Sequence, residues 1–589
     1  MKILKRVITL AMIATLMASM AACSKKDNKS ETSTKVDETA TTTTAPTEEA
    51  TKEETKEMTE EEKQFLAENP YGGLVPLDDA NDPITFKFFI RDPNQAPAKD
   101  NPVIAKIQEL TGVTIEWEFL VGDLAQKVGV MIAGEEYPDA IFAEPAKFTE
   151  AGAFIPLEDY FPNYPLLASH YGGKQVPKMT AADGHQYILE LYGAQENPSP
   201  VFQQSIGFWI QKAVLEEAKT IPRTLDEYFK LIEDYKAKYP EIDGVKTIGF
   251  EILCDGWRDF CLRNPAQHLM GAGNDGDVFV DLSTMTAQFY QNSDTAFNYY
   301  KKLNEEYHKG IIEAETFTQS YDQYISRIST GAVLGFFDQN WNFQSAVNVL
   351  KSDGKYNRTY VAVPITNAGV PDGYLDAPNG VITGNNGVGI TVNCKNPERL
   401  LKFFDWILQR EVQDYLQWGV EGVDHTVLEN GSKVLTAERR AIMNDTAKKR
   451  DLTGDTLWQY CPKRQGLYDD GTPCGPENSA DEYLASLSEY DRTFLESFGF
   501  KYPAEFMSAP VERPAYYPVW SMTLEEGSAA SVSNTKMNDI IRRYYPQLIL
   551  AEDGEYQALW DEMINEFNSN DLQPYLDEVN RQITVLMSK

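Results

Sequence analysis

Between positions 84 and 143 the sequence alternates strand, helix, strand, helix and strand, and this pattern limits the possible folds more than any other feature. ITFKFFI (84–90) has apolar residues on both faces, as a strand covered by helices does. NPVIAKIQELTG (101–112) reads as a helix, with Asn101 as cap, Pro102 in the first turn and Gly112 as stop. VTIEWEFL (113–120) alternates like a strand, a helix follows from about 123 to 133, and DAIFA is a further buried strand. Parallel strands need crossover connections, so the segment predicts a parallel sheet with helices packed on it. Sheets of this kind bind ligands at the carboxyl ends of their strands.

The alternation returns further on. IGFWI (206–210) is a strand, and TLDEYFKLIEDYKAKY an amphipathic helix with a capping box of Thr224 and Glu227. KTIGFEI is a strand, DTAFNYYKKLNEEYHKG a long helix ending at Gly310, and AVLGFFD a buried strand. A third stretch begins near Gly387 with strand VGITVN and helix NPERLLKFFDWILQ. Two α/β blocks result, at roughly 80–195 and 200–372. Residues 430–515 are rich in Gly, Pro and Asp, and the last stretch reads mainly as helices such as NDIIRRYYPQLIL. A chain of 589 residues exceeds one core, so two or more lobes are expected.

The amino terminus carries a different message. Lys2, Lys5 and Arg6 precede an apolar run from Val7 to Met20, and Ala21 and Ala22 lead to Cys23. The run is short for a membrane span and reads as a secretory signal. It resembles a bacterial lipobox, with Met20 where leucine is usual, which implies lipidation at Cys23. Residues 1–22 are then a signal peptide, and 23–69 a lipidated cysteine followed by an acidic, disordered tether. A coil of that length ranges over ~35 Å. With 89 acidic and 54 basic side chains, the formal charge of -35 leaves no basic footprint for nucleic acid.

The remaining cysteines are Cys254, Cys261, Cys394, Cys461 and Cys474, an odd number. Cys461 and Cys474 flank a turn-rich segment that a small disulfide would close; the alternative is a set of buried thiols. There is no CxxC and the histidines are scattered, so no metal and no cofactor are expected. NDGDVFVD (274–281) has acidic oxygens at short spacing but lacks the closing Glu of an EF-hand, and reads as a turn.

Several segments together carry a family likeness: GEEYPDAIFAEPAKFTEAGAFIPLEDY, ADGHQYILE (with Glu190 where proline is usual), IPRTLDEYFKLIEDYKAKYP, GAVLGFFDQNW and NPERLLKFFDWILQREVQDYLQWGVEG. In this order the chain resembles the family 1 extracellular solute-binding proteins of bacterial ABC importers, which include maltose-binding protein. It is similar above all to their large lipoprotein branch in Gram-positive bacteria. The resemblance covers about 84–425 and 530–589. It implies an α/β, two-lobed periplasmic-binding-protein type II fold with a hinge between the lobes and extra C-terminal helices. The first lobe would combine 70–195 with 378–425, and the second 196–377 with 426–589. It further implies a monomer, anchored to the outer face of the cell membrane, that captures a carbohydrate by lobe closure and delivers it to permease subunits.

A sugar presents apolar C–H faces and a rim of hydroxyls, so its site needs aromatic faces, carboxylates, amides and a few cations. At the ends of predicted strands these are Trp341 with Asp338 and Asn340, where the family places a stacking tryptophan, and Trp257 with Arg258, which Asp255 would orient. Arg91 and Asp92 follow the first strand, and Glu144 and Lys147 follow DAIFA. Tyr374, Asn379 and Asn385 fall between the lobes as hinge candidates. Trp418, Tyr516, Tyr517 and Trp520 read as packing residues or cleft rim, with packing favoured for the PAYYPVW run. The competing class is an exported glycoside hydrolase, which needs two carboxylates facing across a cleft; a surface sensor or adhesion lipoprotein is a third. The chain contains no G-x-S-x-G, H-E-x-x-H or P-loop, and the strand-end residues suit reversible capture, so no enzyme is expected.

Overall fold

The computed structural model describes residues 73–172, 176–181, 183–193, 196–375 and 381–588. The expected signal peptide, Cys23, the whole of the expected tether and Asn379 lie outside the described residues. The strands of the two main sheets are β1 (Ile84–Ile90), β2 (Val113–Phe119), β3 (Ala140–Phe142), β4 (Ile188–Glu190), β5 (Ile206–Gln211), β6 (Ile248–Glu251), β7 (Val333–Gln339), β8 (Tyr360–Val363) and β9 (Gly387–Ile390).

The first sheet has the order β2-β1-β3-β9-β4. β1 runs parallel to β2 and β3, while β9 enters antiparallel to β3 and β4. The strand over ITFKFFI matches its sequence reading, and the last three of its residues are buried on both faces. Helix α1 (Pro102–Thr111) begins at Asn101, whose side chain accepts from the backbone N–H groups of Val103 and Ile104. It stops at Gly112, in the left-handed conformation, where a Cβ would meet the Ala80 carbonyl at 2.5 Å. Only glycine fits that close approach at positive φ.

Asn101 does more than cap. It is 1% exposed, and its amide nitrogen donates to the carbonyls of Arg450 and Thr453 at 3.0 and 2.9 Å. One side chain thereby ties the first crossover to the segment after residue 445. Asn101→Ala is expected to lower stability by about 2 kcal/mol, read as a shift of the urea midpoint, because it strands backbone groups at both sites.

The second sheet has the order β8-β5-β7-β6, with β5 antiparallel to β7 and β8, and β7 parallel to β6. β5 and nearly all of β7 are buried, which their unbroken apolar runs require. Helix α2 (Leu225–Lys238) forms the expected capping box: Thr224 accepts from the Glu227 N–H, and Glu227 from the Thr224 N–H. Gly335 in β7 makes room for Tyr228 of this helix; a Cβ there would sit 2.2 Å from the phenol oxygen. That hydroxyl donates to the Trp209 carbonyl at 2.6 Å, locking helix to sheet.

Two large cores correspond to the two sheets. The first holds Phe86, Phe88, Ile90, Phe404 and Trp406, and continues to Leu457, Tyr460 and Cys461. It thus runs past the boundary at 425 drawn from the sequence. The short helix Asp455–Tyr460 docks its aromatic end onto the sheet, with Tyr460 against Phe119 and Phe142. The second core joins β5–β8 to residues 494–507 and to the helices Ala529–Leu550 and Tyr556–Ser569, where Tyr545 stacks on Tyr300 at 3.9 Å.

A smaller core packs Tyr516 and Tyr517 of the PAYYPVW run against Val278, Met537 and Tyr575, so packing prevails for these tyrosines. Trp418 is fully buried, and Trp520 is half exposed. The sulfurs of Cys461 and Cys474 are buried free thiols and form no disulfide. A backbone bond from the Tyr468 N–H to the Thr472 carbonyl and another from the Cys474 N–H to the Gly466 carbonyl close the turn instead. In 274–281, Asp277 pairs with Arg263 and Asp281 accepts from Ser283, as in an ordinary turn entering a strand.

Candidate functional site

β6 and β7 run parallel, so their carboxyl ends open on the same edge. After β6 the chain turns through Gly256–Asp259, and after β7 it enters α3 (Asn340–Ser352) directly. Each exit presents a tryptophan to solvent. Trp257 is 60% exposed and Trp341 is 50% exposed. Their indole planes lie 16° apart with centroids 5.8 Å apart, and Phe260 borders both. The two indoles together form a flat, exposed apolar face of the kind on which a ligand can stack.

The platform is braced from behind. The Arg258 guanidinium lies 4.5 Å from the centre of the Trp257 ring and 4.0 Å from that of Tyr321. Its Nε donates to Asn342 Oδ1 at 3.0 Å. Trp341 donates its indole N–H to Gln339 at 2.7 Å. Asp255 does not orient Arg258 as expected. Its carboxylate instead accepts the Tyr321 N–H, the helix-start donor nearest to it.

Two candidates sit deeper than a ligand contact requires. Asp338 is 0% exposed and accepts from Cys261, Tyr324, Asn342 and the Gln339 N–H. Burial pushes its carboxyl up to about 6, and the hydrogen bonds hold back the rest of the rise. The expectation that Asp338 offers an acceptor directly to a ligand is therefore corrected, since the aspartate lies in the strand interior and α3 covers it. Asn340 spends its amide N–H on the Gln204 carbonyl and its backbone N–H on Ser205, tying the start of α3 to the entry of β5.

On α3, Trp341, Gln344 and Asn348 recur at i, i+3 and i+7, so one stripe continues the platform along the helix. The stripe enters a cavity of about 480 Å³ that the second sheet's lobe shares with the first. Gln344, Asn348 and Lys351 line one side; Asn94, Gln459 and Tyr460 line the other. Gln203 and Asn444 add further amides. Amides suit sugar hydroxyls because each both donates and accepts. Of the carboxylates in the cavity wall, Asp455 pairs with Lys449 at 2.7 Å and Asp491 with Lys212.

At the carboxyl ends of the first sheet, Arg91 is engaged by the segment before β9 and by β3. It donates to the Asn385 carbonyl at 3.2 Å and to the Asn386 side chain, with its guanidinium over Phe142. Asp92 accepts from Tyr460, a cavity residue, at 3.2 Å. Glu144 and Lys147 pair with each other at 3.4 Å in the first turn of Pro145–Glu150 and do not line the cavity. Asn385 donates to the Ser521 carbonyl, and Tyr374 is buried in the second core.

Sequence reasoning missed Trp458 and Tyr192, which hold the enclosed Lys463 ammonium at 4.0 and 3.7 Å from their ring centres. It also missed Tyr321 and Asn342. The i, i+3, i+7 stripe was open to a helical reading of NWNFQSAVNVLKS; Trp458 lay in a stretch with no pattern.

A family model described as bacterial extracellular solute-binding protein matches residues 103–420. The chain belongs to this family. A curated relative from Streptococcus pneumoniae, the fructooligosaccharide ABC transporter substrate-binding protein FusA, is 25% identical over 527 residues, covering 86% of this chain and 90% of its own. The structure of FusA in complex with kestose matches with a TM-score of 0.59 and 20% identity, over 85% of this chain and 99% of that one. An extracellular solute-binding protein from Bifidobacterium longum subsp. infantis matches with a TM-score of 0.60 and 16% identity, over 86% and 99%. The two-lobed α/β fold expected from the sequence is thus the fold of the family.

Proposed function

We propose that this solute-binding protein captures an oligosaccharide between its lobes and hands it to the permease of an ABC importer. The exposed Trp257–Trp341 pair, continuing along α3 into an amide-lined cleft, carries this reading. From Trp341 to Lys351 the helix extends ~15 Å, the length of about three sugar rings rather than one. Indoles stack on the C–H faces of pyranose or furanose rings while amides take the hydroxyls. FusA, named for fructooligosaccharides, supports the same ligand class.

The carboxylates of the cavity wall support binding without turnover. Hydrolysis needs one carboxylic acid and one free carboxylate facing each other. In the cavity wall Asp455 and Asp491 are both held by lysines. Burial raises the Asp491 carboxyl, but the Lys212 ammonium outweighs it and holds the group below its ordinary range, the wrong direction for a general acid. Anchoring through Cys23 on a long tether suits a binder that must meet solute outside the cell and then dock at the membrane.

A thermal-shift screen against kestose, nystose, maltotriose and a tripeptide tests the proposal. A trisaccharide or longer sugar is expected to raise the midpoint at micromolar Kd, about -8 kcal/mol. Sugar cleavage in the same tubes, or stabilisation by the peptide alone, would overturn it.

A further inference from the structure

Between the aromatic platform and the second core lies a carboxylate sealed from solvent. Asp338 ends the buried part of β7. Cys261, Tyr324 of the helix Tyr321–Ser329, and Asn342 of α3 all point donors at it, and the Trp209 indole N–H takes its backbone carbonyl at 2.9 Å. Cys261 and Tyr324 are the titratable groups in direct contact; Arg258 and Tyr321 stand one residue further out, beyond Asn342.

The Asn342 amide is the link. Its Nδ2 lies 3.0 Å from each Asp338 oxygen, and its Oδ1 accepts from Arg258. A carboxylate only accepts and a guanidinium only donates, so one orientation of the amide satisfies both neighbours. Arg258, so held, fills the space between the Trp257 and Tyr321 rings. The Tyr321 hydroxyl fixes the same residue by donating to the Asn342 backbone carbonyl at 2.7 Å. The chain of contacts runs unbroken from a charge in the core to the most exposed tryptophan of the site.

We propose that Asp338 is a positioning residue for ligand capture: as a carboxylate it orients Asn342, which holds Arg258 behind Trp257 and keeps that indole parallel to Trp341. The role rests on the platform being the ligand site. Protonated, Asp338 carries an O–H that needs an acceptor. Asn342 supplies one by turning its Oδ1 inward, and Arg258 then faces an NH2 group and loses its partner. The platform is therefore organised while Asp338 is ionised and loosens as pH falls through about 6.

The test reads the platform with and without ligand. Two indoles 5.8 Å apart give an exciton couplet in ultraviolet circular dichroism, assigned by its loss in Trp257→Phe. In the full chain, the couplet and kestose affinity are both expected to fall several-fold between about pH 7.5 and pH 5. Asp338→Asn should show the weakened couplet at every pH, with roughly tenfold weaker binding. Asn342→Ala should match it, and serves if Asp338→Asn does not fold. Tyr324→Phe, which removes a donor that stabilises the Asp338 carboxylate, should move the loss of both signals to higher pH. An unchanged couplet in both Asp338→Asn and Asn342→Ala overturns the positioning role. A couplet that responds as stated, with kestose affinity unmoved in Trp257→Phe, keeps the relay but places the ligand elsewhere, which overturns its role in capture.

Discussion

Replacing Trp341 with alanine is expected to weaken oligosaccharide binding by 2 kcal/mol or more, roughly 30-fold, while the folded chain keeps its stability. The separation of the two effects comes from position. Trp341 is half exposed at the first turn of α3, and its neighbours Asn342 and Phe343 carry the packing of that turn. Truncation removes a stacking face without opening a core cavity, so the cost falls on the ligand. It also removes the ring beside Trp257, so the remaining indole loses its parallel neighbour. Calorimetric titration with kestose checks the affinity, and thermal unfolding of the apo chain checks the fold. Wild-type affinity in the variant removes Trp341 from the site.

The second large effect is on stability. Lys212 and Asp491 form an ion pair in which both side chains are nearly enclosed, and the ammonium also lies over the ring of Phe494 at 5.5 Å. The pair joins the first residue of the helix Lys212–Ala218, which follows β5 directly, to the helix Glu489–Ser497, so it holds the late segment beside the second sheet. Lys212→Met leaves a buried carboxylate without its counter-charge and is expected to cost about 3–5 kcal/mol. Because Asp491 is held below its ordinary range in the native chain, the stability it contributes is present above that range and is lost as pH falls through its folded value. In Lys212→Met the sign inverts. The unpaired carboxylate destabilises most at neutral pH, and acidification relieves it by protonation. Urea titrations of both proteins at neutral and acid pH measure this; a variant as stable as wild type at neutral pH would show the pair to be dispensable.

The elements were largely open to inference because their signals are local. Asn101, Pro102 and Gly112 bound α1, and Thr224 with Glu227 start α2, through contacts within one helical turn. Trp257 and Trp341 were singled out by a rule of the same kind, that sheet ligands gather at carboxyl ends, and the fold sets both side by side in solvent there. Their neighbours were harder to assign. Asp338 and Trp341 stand three positions apart, and sequence gives no depth, so both read as ligand contacts. One is sealed beneath α3 and the other is in solvent. Arg91, Glu144 and Lys147 likewise gave no sign in the sequence of the partners they take in the fold, the Asn385 carbonyl for Arg91 and each other for Glu144 and Lys147.

The region after residue 425 shows the limit most clearly. Its Gly, Pro and Asp content masks any period, yet it supplies Tyr460 and Gln459 to the cavity and Leu457 to the first core. What the sequence alone determined was the alternation of strands and helices, the caps that bound them and the family they compose. Each of these is written in neighbouring residues. Which side chains face a ligand, which brace them, and where the late insertion packs were decided only by tertiary structure. Exposure and partnership depend on elements hundreds of residues apart, and a buried carboxylate such as Asp338 looks like any other until the helix that covers it is in place.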